Sequence, residues 1–281
     1  MSKLISYQGE PGAYSEMACK KAAPDYTPLP CQTFEDAFEA VINGKAELGM
    51  IAIENSIAGR VADVHSLLQQ GNFHIIGECY LPIVHHLHGM PDATLEDIKF
   101  AHAHVQSLAQ CRNWLRTRGI KPVTKLDNAG ACNELANVLK DKAVGAIASE
   151  LAGKMYGLKS LAVDIADKKN NTTRFLVVSR EAKIPPVGSC KCMTSLLFRV
   201  RSVPAALYKA LGGFATNGLN ITKLESYLVD GRFTAARFHA DVEGHIDEKP
   251  MQNALEELQF FAEEITILGT YPQSSFRSEN C

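Results

Sequence analysis

The sequence predicts an α/β protein in two parts, a doubly wound and mostly parallel sheet followed by a small ferredoxin-like β-α-β-β-α-β unit. Three observations carry this. Up to residue 180, short β-branched runs alternate with stretches whose apolar residues recur at helical spacing. Between 181 and 191 the periodicity lapses, and Pro185, Pro186 and Gly188 sit where neither element can continue. Beyond that point the pattern resumes as strand, helix, strand, strand, helix, strand. The boundaries drawn from it are a first domain at 1–181, a linker at 182–192, a second domain at 193–272 and a tail at 273–281.

In the first domain, strands are expected at 3–8, 48–53, 74–87, 100–104, 144–149 and 173–179. Phe34, Ala37, Phe38, Val41 and Ile42 recur as one helical face, which Thr33 and Asp36 open as an approximate capping box and Gly44 ends. A second helix is expected at 107–118, apolar at Leu108, Cys111 and Leu115, with Trp114 beside the stripe and Gly119 at its end. The second domain reads strand 194–201, helix 204–217, strand 219–229, an Asp230-Gly231 hairpin turn, strand 232–242, helix 249–264 and strand 265–271.

Composition narrows the partners. The chain has 281 residues, 46% of them hydrophobic and 21% charged, and a net charge of -2 gives no field that would draw nucleic acid or a membrane surface. A small molecule is the expected partner. No leader pattern stands at the start and no apolar run reaches the ~18 residues of a membrane span, so a cytoplasmic protein is expected. Eight cysteines scattered over a chain of this size read as reduced thiols, and the one-residue gap between Cys190 and Cys192 does not match structural zinc pairs. His85, His86 and His88 fall in the run 74–87 or just past it, where alternation sends His86 and His88 to one face and His85 to the other. A three-histidine metal site is therefore awkward. No metal and no cofactor are expected.

Three segments carry chemistry. Residues 7–15 follow the first strand and open a helix, so glycines there let backbone approach a ligand and free amides attract an anion; plain turn chemistry explains the same residues. Residues 53–60 leave a strand end with Asn55 and Ser56, where open α/β sheets bind ligands and where turns also favour such residues. The third runs Asn170-Asn171-Thr172-Thr173-Arg174-Phe175 into the last strand. A threonine hydroxyl donates one hydrogen bond, and a guanidinium matches a carboxylate bidentately. Alternation places Thr173 and Phe175 on one face and Arg174 on the other, the latter reading equally as a solvated edge residue.

Together with 30–41, 104–111 and 146–157, these segments resemble the prephenate dehydratase family over nearly the whole chain. Residues 57–63, 203–217 and 223–227 look most like the alphaproteobacterial branch. The resemblance implies a catalytic domain of two α/β lobes, like a type II periplasmic binding protein, with the active site between them. It implies that the second domain is an ACT module that binds phenylalanine and inhibits the enzyme, and it implies a homodimer or homotetramer. Its essential residue falls on Thr173, expected to donate to the departing ring hydroxyl of prephenate. Substrate-binding roles fall on Asn55, Ser56, Gln106, Ser107, Asn128, Ala129, Asn171, Arg174 and Phe175. Arg174 or the amides of the Asn55-Ser56 turn would hold the pyruvyl carboxylate, and Phe175 would keep water from the ring carboxylate.

The effector roles fall on Ala205, Ala206 and Leu207, on Leu219 and Asn220, and on Glu225 and Ser226. Departures from the family pattern stand at Ala103, Val105, Ser107 and Asn128 in the first domain. In the second, Ala205 replaces a glycine, and Tyr227-Leu228 replaces Arg-Pro, which changes the backbone options. Arogenate dehydratase, the same elimination on an amino substrate, is the nearest alternative. A non-catalytic ligand-binding or sensory protein is the alternative from another class.

Overall fold

The strongly apolar strands lie inside the sheets and the polar ones at their rims. The computed structural model describes residues 3–68, 73–229 and 232–279. In chain order the first elements are β1 (Leu4–Gln8), α1 (Tyr14–Ala22), β2 (Thr27–Cys31), α2 (Phe34–Ile42), β3 (Leu48–Asn55), β4 (Gly59–Arg60), α3 (Ala62–Leu68) and β5 (His74–Pro82). Next come β6 (His86–Gly89), β7 (Phe100–His104), α4 (Val105–Gln110), α5 (Arg112–Thr117), β8 (Lys121–Lys125), α6 (Asn128–Glu134), β9 (Val144–Ala148), α7 (Glu150–Met155), β10 (Lys159–Ala162) and β11 (Thr172–Ser179). Residues 180–191 contain neither helix nor strand.

These strands form two sheets. One has the order β2-β1-β3-β11-β5 with β4 paired to β3, and the other the order β10-β6-β9-β7-β8. Both follow one plan: a parallel trio whose first strand is central, then a strand from elsewhere in the chain beside the third. In the second sheet that strand is β6, antiparallel to β9. This is the two-lobed α/β arrangement. Helix α2 starts with the capping box, Thr33 accepting from the Asp36 amide and Asp36 accepting from the Thr33 amide at 3.2 Å. Ala37, Phe38 and Val41 bury its apolar face.

The chain divides into two compact units, Met1–Leu67 with Cys79–Phe175, and Leu68–Glu78 with Leu176–Cys281. In the second unit, β12 (Cys192–Val200), α8 (Ala206–Thr216), β13 (Ile221–Val229), β14 (Arg232–Glu243), α9 (Lys249–Phe261) and β15 (Ala262–Pro272) reproduce the expected order, and α10 (Ser275–Glu279) follows. The sheet order β13-β14-β12-β15, antiparallel throughout, is the ferredoxin-like one. Leu196, Phe198, Phe214, Phe238, Met251 and Leu258 form its core with both helices. The expected Asp230-Gly231 turn lies outside the described residues.

Three expectations are corrected. The strand expected at 74–87 is two strands in different sheets, because the chain crosses between lobes after Pro82: Ile83 donates to the Asn171 carbonyl at 2.8 Å, and Ile165 donates to the His85 carbonyl at 3.0 Å. The helix expected at 107–118 breaks at Cys111, where the Asp167 carboxylate accepts from the amides of Asn113 and Trp114 at 2.8 and 3.0 Å and so caps a new helix. Strands β2, β4, β8 and β10 were not expected; β2, β8 and β10 are sheet edges, and β4 is a two-residue strand paired to β3.

Candidate active site

A cleft of about 630 Å³ opens within the first unit, lined from both lobes and from the crossing segments. Gly12 lets the lobes meet there. Its φ is +94°, and a Cβ would stand 2.7 Å from Ala152 Cα. Ser149 caps α7 and donates its hydroxyl to the Gly12 carbonyl at 2.6 Å, while Tyr156 donates to the Pro11 carbonyl at 3.0 Å. The Gly12 amide, one of those expected to draw an anion, already donates to Glu16 at 2.7 Å.

Thr173 and Phe175 line this cleft, and Arg174 does not. Strand alternation thus separates them as expected. The Arg174 guanidinium is 2% exposed and donates to Glu54 Oε1 at 2.9 Å. Bound to that carboxylate behind the strand, it is not placed to take a substrate carboxylate, which corrects the direct contact expected of it. The Ser56 amide of the Asn55-Ser56 turn is also committed. Ser56 donates its amide to the Thr172 carbonyl at 2.9 Å, and its hydroxyl bridges the Asn170 carbonyl and the Thr172 amide, so Ser56 stitches the strand entrance together.

Asn55 is turned by its surroundings. Its Oδ1 accepts from the amides of Ile57 and Ala58 at 3.0 and 2.8 Å, so its other end must be the NH₂. That NH₂ donates to Asn171 Oδ1 at 2.6 Å and to Thr173 Oγ1 at 3.0 Å. The threonine oxygen therefore accepts from Asn55, and its own proton is left to donate into the cleft.

On the opposite wall, Asn128 accepts from the His104 amide at 2.9 Å and donates to Ser107 Oγ at 2.8 Å. Gln106 and Ala129 complete this wall. So Thr173, Asn55, Phe175, Gln106, Ser107, Asn128 and Ala129 share the cleft, and Asn171 stands behind Asn55, whereas Ser56 and Arg174 are absent from the lining. Tyr14, His85, Gln110 and Arg60 also line it, although the sequence reading gave them no role. For Gln110 a signal existed. It follows Gln106 and Ser107 by one helical turn, on the same face.

In the second unit, Ala205, Ala206 and Leu207 line a cavity of about 540 Å³ at the start of α8. Leu219 and Asn220 lie beyond the other end of that helix, and Glu225 and Ser226 on the edge strand β13. These four lie outside that cavity's lining. Ala205 takes φ +60°, the left-handed backbone that glycine adopts freely.

The prephenate dehydratase family model matches residues 5–183. The chain belongs to the prephenate dehydratase family. The carbon-oxygen lyase class expected from the sequence stands with it. A bifunctional N-acyl-homoserine lactone acylase/prephenate dehydratase of Komagataeibacter europaeus is 48% identical over 276 residues, with 98% of each chain covered. Arogenate dehydratase/prephenate dehydratase 1 of Arabidopsis thaliana, chloroplastic, is 39% identical, covering 97% of this chain and 73% of that one. The crystal structure of a prephenate dehydratase from Arthrobacter aurescens in complex with L-Phe superposes with a TM-score of 0.88 at 29% identity, covering 97% of this chain and 90% of that one. Among the described residues, no helix is long and apolar enough to cross a membrane.

Proposed function

We propose that this prephenate dehydratase cleft expels the ring carboxylate of prephenate as CO₂ and its ring hydroxyl as water, leaving phenylpyruvate. The observation that carries the reading is the Thr173 hydroxyl, held by Asn55 with its proton free to donate. As the carbon-oxygen bond breaks, Thr173 hydrogen-bonds the departing oxygen, which leaves with the bonding pair and takes up a proton from solvent to become water, and the electrons of the breaking carbon-carboxylate bond complete the aromatic ring. Asn55 Nδ2 steadies the charge that grows on Oγ1 while its proton is partly given away. Such a donor contributes about 10²- to 10⁴-fold in rate. Phe175, 1% exposed on the cleft wall, keeps water from the ring carboxylate and so favours its loss.

Prephenate is a dianion, and Arg60 is the one Lys or Arg among the described residues lining the cleft. It contributes positive charge to the cleft wall, from which Arg174, paired with Glu54, is absent. Phenylalanine is the proposed effector of the second unit, acting there as on an ACT module. The reading draws support from the L-Phe complex of the Arthrobacter relative and from the β-α-β-β-α-β order.

The double name of the Arabidopsis relative keeps arogenate as a second substrate. The acylase activity in the Komagataeibacter name finds less support in the cleft, where Ser107 bonds an asparagine amide and Ser149 a backbone carbonyl. The test is phenylpyruvate formation from prephenate, alongside phenylalanine formation from arogenate, each with and without added phenylalanine. Preferred turnover of prephenate, inhibited by phenylalanine, is the expected result. Turnover of arogenate alone would replace the substrate, and turnover of neither would end the lyase reading.

A further inference from the structure

The hydrogen bonds that orient Thr173 continue past Asn55. Because Asn171 Oδ1 receives the Asn55 amide, Asn171 Nδ2 is the donor of its 2.9 Å bond to Gln110 Oε1. The same Gln110 oxygen lies 2.7 Å from His85 Nε2. A carbonyl oxygen only accepts, so Nε2 must carry the hydrogen. On the other side of the ring, Nδ1 lies 3.1 Å from the Tyr14 hydroxyl, which also donates to the Val84 carbonyl at 2.7 Å. In a neutral ring Nδ1 is the acceptor, and the phenol proton is shared between the two.

His85 is 1% exposed, on the segment that joins β5 to β6. Burial holds its ring below the ordinary imidazole range; Gln110 and Asp164 push the other way, and neighbouring His86 adds to burial. The groups facing it are thus Tyr14 from α1, Gln110 from α4, His86 and Asp164. Each amide in the line has a donor end and an acceptor end. If Gln110 turns over, Asn171 must follow, and its NH₂ then opposes the Asn55 NH₂ that Thr173 needs.

We propose that His85, backed by Tyr14, is a positioning residue for the elimination: its Nε2–H holds Gln110, Asn171 and Asn55 in one direction and so keeps the Thr173 hydroxyl aimed at the leaving oxygen. This role rests on the lyase reading of the cleft. It requires a neutral ring protonated at Nε2, and it involves no contact between His85 and the reacting bonds.

The decisive pair of measurements is the imidazole ¹⁵N spectrum of histidine-labelled protein and the kcat and KM on prephenate of His85→Leu and His85→Gln. The expected spectrum is that of the Nε2–H form. His85→Leu should lose about 10- to 100-fold in kcat, with KM changed less than about threefold. His85→Gln, whose NH₂ reaches the same Gln110 oxygen, should recover most of that loss. An Nδ1–H ring in an active enzyme, equal losses in the two variants, or an unimpaired Leu variant would overturn the role of His85. If the wild-type protein turns over no prephenate while its ring is Nε2–H, the lyase reading itself falls and takes this role with it. The spectrum is read on the wild-type chain, so a variant that fails to fold does not remove the test.

Discussion

Asn55 donates to Thr173 Oγ1 over 3.0 Å and has no freedom to do the reverse, because the amides of Ile57 and Ala58 hold its carbonyl end. Asn55→Asp keeps the shape and removes the donor. The threonine proton would then turn toward the carboxylate and away from the cleft. Loss of about 100-fold or more in kcat is expected, with a much smaller change in KM, as for an interaction that strengthens in the transition state. Steady-state kinetics on prephenate check it.

Gly12 combines φ +94° with a backbone neighbour 2.7 Å from where a Cβ would be. Gly12→Ala should destabilise the first unit by about 1–3 kcal/mol, the range of an overpacked contact, with the left-handed backbone adding to it. Urea unfolding measures this. A midpoint equal to wild type would mean that the approach of Ala152 is not held tightly.

Ala205 is the opposite case, a side chain where glycine fits. Ala205→Gly should leave stability unchanged or raise it by up to ~1 kcal/mol, since relief of the left-handed strain is partly offset by the freer unfolded chain. The same variant tests whether phenylalanine inhibition strengthens when the glycine of the family pattern is restored.

Acid should weaken the fold through His88. This ring is 1% exposed and bonds the Ser149 carbonyl through Nε2 at 3.0 Å, and Nδ1 has no hydrogen-bond partner among the described residues. Gly153 leaves room for it, since a Cβ there would lie 2.2 Å from His88 Cε1. Burial pushes the ring down to about 4 from its ordinary 6.5. Between those two values the unfolded chain binds the extra proton and the folded one does not. Stability therefore rises with pH across this window and is lost as pH falls through it, by on the order of 3 kcal/mol for this group. Urea midpoints at pH 7, 6 and 5 should fall in that order, and His88→Gln should flatten the series.

Much of the interior was legible because β1, β3, β9 and β11 stand out as β-branched or apolar runs, whereas interior β6, with His86 and His88, did not separate from β5 in the sequence. Of the strands left unread, β2, β8 and β10 are sheet edges, where Pro28, Pro30 and Pro122 are tolerated and lysines keep the rim in water. The face assignments of Thr173, Arg174 and Phe175 followed from alternation alone. What Arg174 pairs with did not, because Glu54 lies 120 residues away in the chain. For the same reason the break at Cys111 was hidden, since its cap comes from Asp167 on a distant loop. Tyr14, His85 and Gln110 belong to a hydrogen-bond line that exists only once the crossing segments meet. Alternation could place His85 opposite His86, but not tell that the chain leaves one sheet after Pro82 and enters the other at His86.

The most direct measurement is kcat on prephenate for Thr173→Val, which keeps the branched shape and removes only the hydroxyl, set beside Thr173→Ser, which keeps the hydroxyl. The valine enzyme should fold normally and lose about 10²- to 10⁴-fold, with serine recovering much of it. A valine enzyme within about threefold of wild type would show that the departing oxygen receives its hydrogen bond from elsewhere.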